Sequence, residues 1–173
     1  VKWTGTRSEV FLADEQARDV LSHGELALDA AGRIVGMRFD MLANLGAYLA
    51  PTGPFVNTIG IVNCISGVYD VPATYARIRL ALTNTAPMAA YRGAGRPVMS
   101  YAIERLVEHA ATELGVDAAE LRRRSFIPKD RFPYRIAAGF EYDCGDFAGV
   151  LQRALEAADW DGFPRRKEEA KKR

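Results

Sequence analysis

Cysteine and histidine are nearly missing from this chain: among 173 residues there are only Cys64, Cys144, His23 and His109. Neither cysteine has a second Cys or a His at zinc-ligand spacing, which excludes a disulfide framework and a structural zinc finger. Both are expected to be buried small side chains, and reduced thiols place the protein in the cytoplasm. The two histidines lack ligand-type neighbours and read as surface or capping residues. Long apolar runs are lacking too. Thr58, Asn63, Thr83 and Asn84 interrupt the greasiest stretches, so no run reaches the roughly 18 residues of a membrane span. Charge of one sign is also lacking, with 23 basic against 22 acidic residues and a net charge of +1. Six of the bases sit in the last nine residues, Arg165–Arg173. The remainder is therefore slightly acidic, and nucleic acid is excluded as a partner. The opening VKWTGTRSEV has no starting Met and no leader, and looks cut from something longer.

What is there suits a globular domain with a sizeable core: 49% apolar and 26% charged residues. A short strand is expected around Ser8–Leu12. Gly24–Tyr48 reads as a hairpin, with Leu26 and Leu28 alternating before the turn at Ala30–Arg33 and Ile34–Asp40 after it. Arg33, Arg38 and Asp40 mark one wet face. A helix is expected within Phe55–Ile65, entered through Gly53-Pro54. Tyr69-Asp70-Val71-Pro72 is an extended exit, because the residue before proline avoids helical angles. Tyr75–Leu82 alternates as a half-buried strand. Pro97 opens the clearest helix, with Met99, Ile103, Leu106, Val107, Ala110 and Leu114 at spacings of three and four. Gly115 stops it, Asp117 caps a helix over Ala118–Arg124, and Asp146 caps a last helix through about Ala158. Residues 128–145 read as loop, with a short strand near Phe140–Tyr142. The tail RRKEEAKKR has no apolar stripe and reads as a solvated end. The fold class is α+β, a mixed, largely antiparallel sheet with helices packed on it.

One segment resists a packing explanation: Ala90-Tyr91-Arg92-Gly93-Ala94-Gly95-Arg96-Pro97. Its glycines let a backbone approach a ligand closely. The helix N-terminus just beyond favours negative charge, and Arg92 offers a planar donor fork for phosphate or metal-bound oxygen. The same composition also suits a tight turn with surface arginines. Tyr91 suits either substrate contact or a buried place beside Arg92, and Arg96 a local cap or ion pair.

AYRGAGRP and the following YAIERLVEHAATELGVDAAELRRRSFI resemble the large, molybdenum-binding subunit of the xanthine dehydrogenase and aerobic carbon monoxide dehydrogenase family. VKWTGTRSE, GELALDAAGRIVGMRFDMLANLGAY, VYDVPATYARIRLALTNTAP and EYDCGDF match in the same order, across nearly all of the chain. The resemblance implies part of the first molybdopterin-binding half. Residues 1–82 would be mainly strands plus one helix, 83–97 the cofactor loop, and 98–173 a helical region with a charged tail. Tyr91, Arg92, Gly93, Ala94 and Gly95 would meet a molybdopterin, in its cytosine dinucleotide or mononucleotide form, that carries molybdenum. Iron–sulfur clusters and FAD would lie on partner subunits or domains.

The implied activity is hydroxylation of an aldehyde or N-heterocycle with water as oxygen source. Gly93 stands where carbon monoxide oxidisers carry a copper-binding Cys, so no copper–sulfur–molybdenum centre is expected. The catalytic base and the GGxFG-type loop are expected outside these residues, which leaves the fragment inactive by itself. Glu104 and Glu108 read as hydrated surface, and Gly46-Ala47-Tyr48 as close strand packing. Ser125, in place of the usual Asn, reads as an altered cap. The reading from another class is a non-catalytic domain that binds a phosphorylated small molecule or a partner subunit through the same loop.

Overall fold

The hairpin turn is written into Asp29, whose carboxylate accepts from the N–H groups of Ala31 at 2.9 Å and Arg33 at 2.8 Å. In a computed structural model describing residues 1–172, this turn joins β1 (Val20–Leu28) to β2 (Ile34–Gly46) as an antiparallel pair. Along β2, Met37, Phe39, Met41, Ala43 and Leu45 are buried, while Arg38 and Asp40 point the other way, as period-two alternation requires. On that outer face Arg38 lies over the Tyr75 ring, and Asp40 bonds Arg77 and Arg79.

Tyr75 and Arg77 belong to β3 (Ala73–Leu82), which pairs with β2 in parallel, Arg38 facing Tyr75. A parallel neighbour needs a crossover. Residues 47–72 supply it through two one-turn helices, α2 (Gly53–Val56) and α3 (Ile59–Val62), in place of one helix within Phe55–Ile65. With the small antiparallel pair β4 (Tyr134–Arg135) and β5 (Glu141–Tyr142), two of the three strand pairings are antiparallel.

The expected strand at Ser8–Leu12 is a helix, α1 (Arg7–Ala13). Thr6 and Glu9 close a capping box there, Thr6 N–H donating to the Glu9 carboxylate at 2.7 Å and Glu9 N–H to Thr6 Oγ1 at 3.3 Å. Residues 1–82 thus hold three short helices rather than one.

Across the inner face of the sheet lies α4 (Arg96–Leu114), with Met99, Ile103, Val107 and Ala111 buried. Leu114, expected on that stripe, is exposed at the helix end. Gly115 ends the helix at φ +64. Then come α5 (Ala118–Arg123), α6 (Phe147–Ala157) and α7 (Phe163–Lys171); Asp117 accepts from Glu120 N–H and Asp146 from Gly149 N–H. The charged tail becomes α7 with Arg165–Glu169 paired one turn apart, and Arg173 lies outside the described residues.

Ser125 is a tertiary link rather than a cap: buried, it accepts from Ile34 N–H at 2.9 Å. Glu108 is exposed, as expected, and Glu104 is half-buried, but both are paired. Arg122 donates to both, and Tyr69 donates to Glu104. Cys144 is exposed rather than buried, and Cys64 is half-buried.

Candidate functional site

The start of the 83–95 segment is fixed at the end of β2. Asn44 is a single amide in an apolar strand, and it is buried there. Its Nδ2 donates to Asp19 and Thr85 at 2.8 Å each, and its Oδ1 accepts from Gly46 N–H and Thr83 Oγ1 at 2.7 Å each. All four capacities of the amide are used, which pins residues 83–85 and 19 to the strand end. Sequence reasoning passed over this residue. Its signal was a lone polar side chain at a core position, which burial forces into a complete hydrogen-bond set.

Three glycines then seat the chain. A Cβ on Gly46 (φ +79) would stand 2.2 Å from the Ala86 carbonyl oxygen, one on Gly53 2.4 Å from that of Met88, and one on Gly95 2.2 Å from that of Val56. Gly46 therefore serves close packing, as read from Gly46-Ala47-Tyr48. Gly95 is buried against α2 and α3. Within the predicted set it supports the loop from beneath, whereas Tyr91, Arg92 and Gly93 are exposed and Ala94 is intermediate.

The loop itself is a tight reversal. Ala94 N–H donates to the Tyr91 carbonyl at 2.9 Å and Arg96 N–H to that of Gly93 at 3.1 Å. Gly93 and Ala94 carry φ of +86 and +52, so the glycine is needed at its own position and Ala94 is held in a conformation unusual for it. Tyr91 is not buried beside Arg92. Its ring lies under Arg18, whose guanidinium carbon is 4.9 Å from the ring centroid. Arg18 also donates to the carbonyls of Tyr91 and Arg92, and sequence reasoning gave no weight to it. Arg96 opens α4 and pairs with no acid among the described residues. It lies near the half-buried Cys64, whose thiol is pushed up by burial.

His23 is exposed beside Glu25, and His109 lines a cavity of about 560 Å³ between β1 and α4. Arg18 and Pro97 line the same cavity.

The exposed face of this loop carries unpartnered donors. The N–H groups of Arg92 and Gly93 and the Arg92 guanidinium have no partner among the described residues, and α4 begins immediately after. Such a set fits an anionic, oxygen-rich group and repels a cation. Among the described residues no three His, Cys, Asp or Glu side chains converge as metal ligands. Among the described residues, also, no helix is long and apolar enough to cross a membrane.

Comparison with known proteins bears on what this face meets. The family profile described as molybdopterin cofactor-binding domain matches residues 1–126. The carbon monoxide dehydrogenase large chain of Hydrogenophaga pseudoflava is 38% identical over all of this chain and 22% of its own length. The 6-hydroxypseudooxynicotine dehydrogenase complex subunit gamma of Paenarthrobacter nicotinovorans is 35% identical over 92% of this chain and 21% of its own. Among solved structures, quinoline 2-oxidoreductase from Pseudomonas putida 86 superimposes with a TM-score of 0.91 at 31% identity, covering 99% of this chain and 22% of that one. The chain spans about a fifth of the length of the curated relatives it matches.

Proposed function

The chain belongs to the molybdopterin cofactor-binding domain family, and from that membership we propose that it forms part of the large, molybdenum-binding subunit of a hydroxylase acting on an aldehyde or an N-heterocycle. The unpartnered donors at Arg92 and Gly93 carry this reading. When bound, the molybdenum cofactor supplies the redox centre at which an electron-poor carbon gains oxygen from water and gives up two electrons. The residues of this chain bind and orient: Arg92 holds an anionic oxygen through its charged fork, and the Arg92 and Gly93 amides add neutral donors. Tyr91 and Ala94 complete the loop, and Gly95 seats it on α2 and α3.

Glu104 and Glu108 are engaged by Arg122, which favours a catalytic base outside this chain. Relatives named for quinoline and nicotine favour the N-heterocycle. Gly93 in the place of the copper-binding Cys speaks against carbon monoxide. We assign the cofactor to the cytosine dinucleotide or mononucleotide form, and iron–sulfur and FAD centres to partner subunits or domains of a cytoplasmic complex.

The test is molybdenum and pterin analysis of the full-length subunit purified with its partners, for wild type and Arg92→Ala. The substitution should lower molybdenum occupancy or turnover while the melting curve stays unchanged. Normal metal content together with a normal rate would refute the assignment. A wild-type subunit without molybdenum would leave the loop to a phosphorylated small molecule.

A further inference from the structure

Arg18 stands far from the loop in sequence and beside it in space. Its Nη2 donates to the carbonyl of Tyr91 at 3.1 Å and also to that of Arg92. A peptide unit is planar and trans, so its N–H points opposite to its carbonyl. When the carbonyls of Tyr91 and Arg92 both turn toward one guanidinium, the N–H groups of Arg92 and Gly93 turn away from it. We propose that Arg18 is the positioning residue of this site: by gripping two successive carbonyls it aims the amides of Arg92 and Gly93 outward as a two-donor nest for an anionic oxygen.

The grip also strengthens the nest. A cation on a carbonyl polarises its peptide and makes the N–H at the other end a better donor, the cooperativity seen along hydrogen-bond chains. Arg18 itself is built to reach. It has φ +67, a region non-glycine residues seldom occupy. The residues on either side are pinned: Gln16 N–H to the Pro87 carbonyl at 2.9 Å, Ala89 N–H to the Gln16 carbonyl at 2.8 Å, and Asn44 N–H to the Asp19 carbonyl at 3.0 Å. Two anchored neighbours force the side chain between them across Tyr91. Arg18 thus acts through the loop. It rests on the proposed function only in that the nest is to meet the cofactor's oxygens.

The experiment uses the full-length subunit in two states. In cofactor-free protein, amide hydrogen exchange is read at Ala94 and Arg96, whose N–H groups close the loop onto Tyr91 and Gly93. Arg18→Ala should speed both by about tenfold, the loss of hydrogen bonds from a charged donor, while Ile103 and Val107 in α4 are unaffected. In loaded enzyme the molybdenum EPR signal should shift, or cofactor content should fall. Arg18→Lys should recover most of both effects and Arg18→Gln neither, since the charge polarises the peptides.

Unchanged loop exchange would overturn the grip. Faster exchange with wild-type EPR and wild-type cofactor content would overturn its role toward the cofactor. Should Arg18→Ala fail to fold, the Lys and Gln variants decide, and equal behaviour of the two overturns the proposal. A wild-type subunit lacking molybdenum counts against the proposed function alone, because the exchange comparison still decides whether Arg18 grips the loop.

Discussion

Gly95 shows how much one missing methyl decides. Its φ of −75 is open to any residue, so the demand is purely steric: a Cβ would meet Val56 O at 2.2 Å and the Gly60 carbonyl carbon at 2.6 Å. Gly95→Ala should cost about 1–3 kcal/mol, the scale of an overpacked core, and should lower cofactor occupancy in the parent subunit. Denaturant melts and metal analysis check the two effects. Ser125 makes the complementary case. Ser125→Ala removes the acceptor of a buried N–H at Ile34 and should cost about 1–3 kcal/mol in the same melts. Tyr134 carries a pH prediction. Burial, then its bond to Asp70, pushes the phenol up to about 12. The folded state keeps this proton longer than the unfolded chain does, so the stabilisation is whole below about pH 10 and is lost as pH rises toward 12. Tyr69 shifts the same way, through burial and Glu104. Denaturant midpoints should fall between about pH 10 and pH 12 on this reasoning, and Tyr134→Phe should flatten the fall.

Elements were legible where the pattern is local. The 3.6-residue stripe of α4, the Gly115 stop and the Asp117 and Asp146 caps all act within one or two turns, so the residues alone announce them. The capping box of α1 was equally local, yet Ser8–Leu12 was expected as a strand. Val10, Phe11 and Leu12 are consecutive and all exposed, so they show neither a strand's alternation nor a core face. Strand β3 was legible as a strand but not in its direction, because alternation is the same read either way. Direction came from the crossover of residues 47–72. At α6, Asp146 is held below the usual carboxylate range by Lys129 and by Gly149 N–H. Its stabilisation is therefore present above the ordinary carboxylate pKa and lost as pH falls through the folded one. Asp146→Ala should destabilise at neutral pH, with the difference shrinking in acid; melts across the acid range check this.

At the scale of the whole molecule, the chain presents a loop with unpartnered donors, and no three His, Cys, Asp or Glu side chains converge as metal ligands among the described residues. The chain purified alone should show no turnover of aldehydes or N-heterocycles, while the full-length subunit with its partners should; a dye-coupled oxidation assay separates the two. The amino acids by themselves determined that the loop at Tyr91–Gly95 is glycine-rich, carries Arg92 and precedes a strong helix, because composition and helix periodicity are properties of neighbours along the chain. Tertiary structure alone decided which loop glycine is exposed and which packs against protein, that Asn44 ties three segments at the β2 end, and that Arg18 reaches Tyr91 and Arg92. Those are contacts between residues tens of positions apart, and no local spacing encodes which distant backbone a side chain will meet.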